Sequence, residues 1–183
     1  MNTQQQDPTQ PVEVFLKKFL ASLDLSYYSS GFAQPQYANV EAYATQFGKQ
    51  IKPSAAVIVD GNPIIPSAND ARLEFQKKWL ASPLTNHSLS SFDCHLVPGT
   101  GMYTVILNGK VRFDESGRSR LGESSDLVPA AANAKPRPIW GSWFGFNANL
   151  VIDQTVAQND EVECINSFNY RLTFKPHDSA VRI

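Results

Sequence analysis

Three segments of this 183-residue chain alternate apolar and polar residues with a period of two, and that pattern limits the fold more than anything else in the sequence. Between Met102 and Asp114, Tyr103, Val105, Leu107, Val111 and Phe113 oppose Thr104, Ile106, Asn108, Lys110 and Arg112. Between Trp140 and Asp153, Phe144, Phe146, Ala148, Leu150 and Ile152 oppose Trp143, Asn147, Asn149 and Val151. Between Val162 and Lys175, Phe168, Tyr170, Leu172 and Phe174 oppose Ser167, Asn169, Arg171 and Thr173. Successive side chains of a strand point to opposite faces, so each segment commits one face to a core and leaves the other semi-polar. Long antiparallel strands with one covered face satisfy that demand.

What covers the aromatic face lies earlier in the chain. Val12, Phe15, Leu16, Phe19, Leu20 and Leu23 recur at helical spacing, with Thr9 as the expected cap and Pro11 in the first turn. A polar break at Ser29–Ser30–Gly31 precedes a second helical pattern through Val40, Tyr43, Ala44 and Phe47, ended by Gly48. Ala55–Val59 reads as a strand, Asp60–Gly61–Asn62 as a tight turn, and Ile64–Ile65 as its return. Ser67 is the expected cap of a third helix carrying Ala71, Phe75, Trp79 and Leu80, closed by Pro83 and Asn86. A strand from Ser88 to Pro98 and a turn at Gly99–Thr100–Gly101 lead into the alternating segments. Helices first and a strand meander afterwards give an α+β domain, its N-terminal helices packed on a strongly curved antiparallel sheet. Gly109, Gly141 and Gly145 are the expected sites of the bulges that such curvature needs. The expected organisation is a flexible polar arm over residues 1–10, one domain over 11–183, and an inserted loop at about 115–138.

A formal net charge of −1 argues against a general electrostatic grip on nucleic acid or membrane. No run approaches the roughly eighteen apolar residues of a membrane span, so no membrane insertion is expected. Met1–Pro11 has the composition of neither a signal peptide nor a transit peptide. Two cysteines, Cys94 and Cys164, make no disulfide framework and fit a reducing compartment as free core thiols.

The semi-polar face has a plain reading as a solvated outer surface. A sharper reading makes it a partly wet interface with another sheet, formed by Ile106, Asn108, Trp143, Asn147, Asn149, Ser167, Asn169, Arg171 and Thr173. Amides, Trp and Thr avoid self-repelling charge, and Arg171, in mid-strand, then calls for a partner's carboxylate. A symmetric homodimer would need an acid on the same face, and these positions hold none.

At these residues the chain resembles a known family. The helix–hairpin–helix opening, the Asp60–Gly61–Asn62 turn and the strand starting Asn86–His87–Ser88 are similar to the nuclear transport factor 2-like fold, which is cone-shaped. Lys110–Arg118 (KVRFDESGR), Lys135–Gly141 (KPRPIWG), Val97–Pro98–Gly99 with Gly101, Phe144–Gly145, Phe168–Asn169–Tyr170 and Phe174–Lys175–Pro176 resemble the small subunits of the fungal mRNA export receptor, over roughly residues 10–183. The resemblance implies a non-catalytic subunit that pairs sheet to sheet with a larger homologous subunit. The pair would carry messenger ribonucleoprotein, and large ribosomal subunits, through nuclear pores, binding Phe-Gly nucleoporins and shuttling between nucleus and cytoplasm. In such a pair Arg171 sits where related small subunits can carry a partner-facing arginine.

Two further surfaces are candidates. From Lys110 to Pro138 six basic residues (Lys110, Arg112, Arg118, Arg120, Lys135, Arg137) face four acids (Asp114, Glu115, Glu123, Asp126), a net of +2. The bland reading is a solvated loop. The functional one is contact with RNA phosphate through Arg112, Arg118, Arg120, Lys135 and Arg137, with Trp140 available for stacking. Tyr27, Tyr28 and Phe32 are candidates for Phe-Gly repeat binding, against an equally simple core role.

An enzyme of the same fold would need polar groups projecting inward, where this chain has mostly Phe, Leu, Val and Ile. Tyr43, Tyr103 and Tyr170 are the only inward polar tips, expected to satisfy backbone groups. Cys94 and His95 are adjacent and so face opposite sides, while His87 and His177 read as surface residues. There is no metal-ligand spacing, no phosphate loop and no nucleophile elbow, so neither catalysis nor a cofactor is expected.

Overall fold

The computed structural model describes residues 7–24, 46–120 and 138–183. Its strands are β1 (Ile51–Val59), β2 (Asn62–Pro63), β3 (Thr85–Val97), β4 (Met102–Phe113), β5 (Phe144–Asp153) and β6 (Ile165–Phe174). They form one six-stranded curved sheet in the order β2-β1-β6-β5-β4-β3. Two described helices, α1 (Thr9–Asp24) and α2 (Ala71–Leu80), lie on its inner face. The second expected helix falls almost wholly outside the described residues; its end is visible as buried Phe47 and Gly48 at φ +64°.

The α+β class holds, with one correction to the sheet. β1 runs parallel to β6, pairing Val57 with Phe168 and Val59 with Tyr170, so the sheet is mixed. No two-residue pattern reveals the direction of a partner strand. Asp60 and Gly61 both have positive φ, as a tight turn into β2 requires.

The caps also differ from expectation. Asp7, not Thr9, supplies the acceptor at the start of α1, taking the Thr9 N–H at 3.0 Å and its hydroxyl at 2.6 Å. Asp70, not Ser67, caps α2 by accepting the Leu73 N–H at 2.9 Å. β3 begins at Thr85, so Asn86 belongs to the strand and does not close α2.

The inner face is an aromatic layer. Phe19 and Phe75 each meet Phe168 edge-on, at 5.3 and 5.7 Å, while Trp79 meets Tyr170 at 5.6 Å. Such offset pairs add about 0.5–1.5 kcal/mol each beyond their area. An acidic run after β5 ties the helices down: Lys18 pairs with Asp160 (2.6 Å) and Arg72 with Glu163 (2.5 Å).

Two expected bulge glycines face real bulges, but the extra residue sits on the neighbouring strand. Ser90 is extra opposite Gly109, and Thr173 opposite Gly145. A Cβ on Gly109 would lie 2.3 Å from the Ser88 carbonyl oxygen and 2.6 Å from the Phe146 ring. The second bulge overturns an expected orientation. Beyond Thr173 the phase of β6 reverses, so Phe174 pairs with outward Gly145 and is 59% exposed instead of joining the core.

The stretch following β4 is stitched to the domain at two places. Glu115 N–H bonds to Ile139 carbonyl (2.7 Å) and Gly141 N–H to Phe113 carbonyl (3.0 Å), while buried Asp114 accepts the Ile139 N–H (2.7 Å). Farther on, Arg120 N–H bonds to Ser82 carbonyl (3.1 Å), and its side chain, 1% exposed, drives into the interior. The described chain is therefore still bonded to the domain at Arg120.

Substituting Gly109→Ala is expected to lower stability by about 3 kcal/mol, because the blocking atom is backbone and cannot swing aside; a urea melt measures it. Removing 122–134 is expected to leave the melt nearly unchanged, whereas removing 116–134, which takes Arg120 with it, should cost about 3–5 kcal/mol.

Candidate functional site: the outer face of the sheet

Register decides which side chains share the outer face. Asn108 pairs with Asn147, Ile106 with Asn149, Asn147 with Arg171, Asn149 with Asn169, and Val151 with Ser167. All nine expected interface residues are therefore brought to one face, with Thr173 at the bulge and Trp143 at the head of β5. Ile58 and Ala56 of β1 extend it beyond β6.

Its centre is a ladder of amides. Asn147 Nδ2 donates to Asn108 Oδ1 (2.9 Å) and Leu107 carbonyl (3.1 Å), and Asn149 Nδ2 donates to Asn147 Oδ1 (3.0 Å). Neutral amides that bond one another lay down a flat polar surface without net charge, which water or a partner can cover at similar cost. Apolar islands interrupt it: Ile106 is 47% exposed and Trp143 37%. Arg171 is exposed and has no hydrogen-bond or ion-pair partner among the described residues.

Arg112, expected in the RNA-contacting set, belongs to this face. Its guanidinium lies between the Trp140 and Trp143 rings, 5.0 and 4.8 Å from their centroids, and Lys110 Nζ sits 5.5 Å from the Trp143 centroid. Cation–π contacts of this kind fix the indoles as well as the cations. Arg118 is half-buried and donates from Nε to Ser116 Oγ at 3.3 Å. Arg120 must be withdrawn from the RNA set, since its guanidinium donates inward to Trp79 carbonyl (3.1 Å) and Thr85 Oγ1 (2.6 Å). Lys135, Arg137, Tyr27, Tyr28 and Phe32 lie outside the described residues.

An acid that the three alternating segments do not contain also appears outside. Asp93 of β3 pairs with Ile106 in register and is exposed, bonded to His95 Nε2 at 2.9 Å. The homodimer objection that rested on an acid-free face is thereby weakened. Within one molecule Asp93 stands three strand spacings across and two residues along from Arg171, about 16 Å, too far to pair with it.

The interior is not purely apolar either. His87, expected at the surface, has a fully buried side chain. Its Nδ1 bonds to Asp24, its Nε2 bonds to Tyr170 Oη (2.9 Å), and its ring stacks on Trp79 and meets Phe146 edge-on. Thr85 Oγ1 donates to Asp24 Oδ1 (2.9 Å) and His87 N–H to Asp24 Oδ2 (2.9 Å). Tyr170 thus satisfies a histidine and not the expected backbone group. Burial, reinforced by the Asp24 charge, pushes its phenol well above the ordinary value and keeps it a donor. Both imidazole nitrogens are engaged and the side chain is fully buried among aromatic rings, so the cluster reads as structural. The adjacent Cys94 and His95 face opposite sides, as expected. Among the described residues no cluster of His, Cys, Asp and Glu has metal-binding geometry.

A helix-backed, curved, unclosed sheet with an amide-rich outer face defines a domain of the nuclear transport factor 2-like class. A protein of that superfamily from Salmonella enterica shares the fold at a TM-score of 0.50 and 12% identity, over 94% of this chain and 96% of that one. The family described as nuclear pore RNA shuttling protein Mtr2 matches residues 2–183, and the chain belongs to it. A relative from Candida albicans, mRNA transport regulator MTR2, is 54% identical over 183 residues, covering 97% of this chain and 99% of that protein. The crystal structure of the C. albicans Mtr2–Mex67 M domain complex contains a chain similar at a TM-score of 0.80 and 56% identity, over 94% of this chain and 100% of that one.

Burial pushes the Cys94 thiol up to about 11 and the Cys164 thiol up to about 12, with nearby Asp93 and Asp153 adding to the shift. Thiolate is the reactive form, so both cysteines are expected to resist iodoacetamide at pH 8 in the folded protein and to react promptly in urea, followed by intact mass. The same shifts make stability fall as pH rises above the ordinary thiol range toward 11–12, because only the unfolded thiols ionise there.

Proposed function

We propose that this chain is the small, non-catalytic subunit of a heterodimeric mRNA export receptor, docking its outer sheet face on a homologous domain of a larger subunit. The observation that carries the reading is Arg171, an exposed mid-strand cation without a partner on an otherwise neutral amide surface. The C. albicans relative solved with the Mex67 M domain supports a second chain as the cover. A standard interface hides about 800 Å² per partner, within reach of four long strands. In this reading the pair shuttles between nucleus and cytoplasm through nuclear pores, binds Phe-Gly nucleoporins, and carries messenger ribonucleoprotein and large ribosomal subunits. RNA contact falls to Arg118, Lys135 and Arg137 around the insertion, since Arg112 is clamped and Arg120 buried. The packed, internally satisfied His87 cluster favours a non-enzyme.

The test is purification of the tagged chain from its own cells with identification of what co-purifies. A stoichiometric larger export subunit is expected; a stable solitary protein or a homodimer overturns the reading. Arg171→Glu is expected to weaken the complex by about 2–5 kcal/mol, measured by calorimetry. Exchanging Lys135 and Arg137 for Ser should leave the heterodimer intact and reduce RNA retention, more so at low salt; an unchanged gel shift at low salt removes the loop from the RNA reading.

A further inference from the structure

Where β6 changes phase, the outer face gains a relief that a plain two-residue repeat would not produce. Lys110, Gly145 and Phe174 are register neighbours on β4, β5 and β6. Gly145 has no side chain and cannot readily take one: a Cβ there would lie 2.9 Å from Thr173 Oγ1 and 3.1 Å from Phe174 Cβ. Along β5 the bare position stands between Trp143 and Asn147. Across the sheet it stands between Lys110 and the exposed Phe174 ring. Thr173 Oγ1 and Phe174 Cβ therefore occupy the space above the bare glycine, and the exposed Phe174 ring stands in the row next to the one that pairs Asn147 with Arg171. Trp143 is clasped by Lys110 and Arg112 on the same face.

We propose that Phe174 is an apolar anchor of the partner interface and meets an apolar side chain from the partner's sheet. The inference rests on the heterodimer reading and narrows the partner's chemistry. The occupant is a second sheet face presenting an apolar residue to Phe174 and a carboxylate to Arg171, about 7 Å apart, since their register partners are two residues apart on β5. Charge favours such a partner over a second copy. The central strands carry Lys110, Arg112 and Arg171 outward, while the outward acids sit at the borders and are engaged, Asp93 with His95 and Asp153 with Lys52 (2.5 Å). Aromatic anchors bordered by polar groups that exclude water carry a disproportionate share of binding, and Thr173 and Asn147 border Phe174.

The experiment compares Phe174→Ala, Phe174→Leu and Arg171→Glu for binding to the purified homologous domain of the larger subunit, with the melting of each isolated variant as control. Phe174 is solvent-exposed, so the variants are expected to melt with the parent while Phe174→Ala loses roughly 30-fold in affinity and Phe174→Leu keeps part of it. If Arg171→Glu weakens binding and both Phe174 variants bind within about twofold of the parent, the anchor is overturned and the heterodimer reading stands. If none of the three changes binding, the outer face is not the interface and both fall. Should Phe174→Ala melt lower, Phe174→Leu decides: full affinity in a stable protein refutes the anchor.

Discussion

A single arginine buried in the interior organises much of this domain. Arg120 carries its charge into a site 1% exposed, and a cation there has to be answered by hydrogen bonds and an opposite charge. The answer is a relay. Arg120 holds the Thr85 hydroxyl, Thr85 holds the Asp24 carboxylate, Asp24 holds His87, and His87 holds Tyr170. Its five members come from four separate parts of the chain: the base of the insertion, the start of β3 (which supplies both Thr85 and His87), the end of α1 and the middle of β6. The aromatic layer can then pack in one register only, since a slip of any strand would leave a buried polar atom unmatched.

The same strand that ends the relay inward presents the proposed docking surface outward. Tyr170 points to His87, while its neighbours Asn169 and Arg171 point away from the core. Fixing one face of a strand fixes the other, because the pleat allows no independent rotation. The relay thus pre-positions the outer amides and Arg171 without touching them. Pre-organisation of this kind lowers the entropic cost of association.

Much of this was legible in the residues because burial enforces period. The α1 stripe, the two faces of β4 and β5 and the nine residues of the outer face follow from spacing alone. What escaped was what spacing does not encode. The Thr173 bulge reverses the phase of β6 after Leu172, and nothing in Leu-Thr-Phe-Lys marks it except the glycine it faces on another strand. His87 and Arg120 looked like surface residues because their compensating partners are distant in sequence, at Asp24 and Thr85. The parallel pairing of β1 was hidden for a similar reason, since a register partner 111 residues away, as Phe168 is from Val57, leaves no local trace. The long matched strings located the family where physics alone stopped at a fold.

The double stitching of the insertion has a consequence for how such a domain can change over time. With Arg120 locked beneath Ser82 and Ile139 zipped to Glu115, the chain between them closes a circuit whose two ends are set by the domain and not by its own content. Closing a longer circuit of this kind is cheap, about 0.6 kcal/mol for each doubling. Substitutions and length changes in that stretch can therefore accumulate while the outer face of the sheet inherits none of the disturbance.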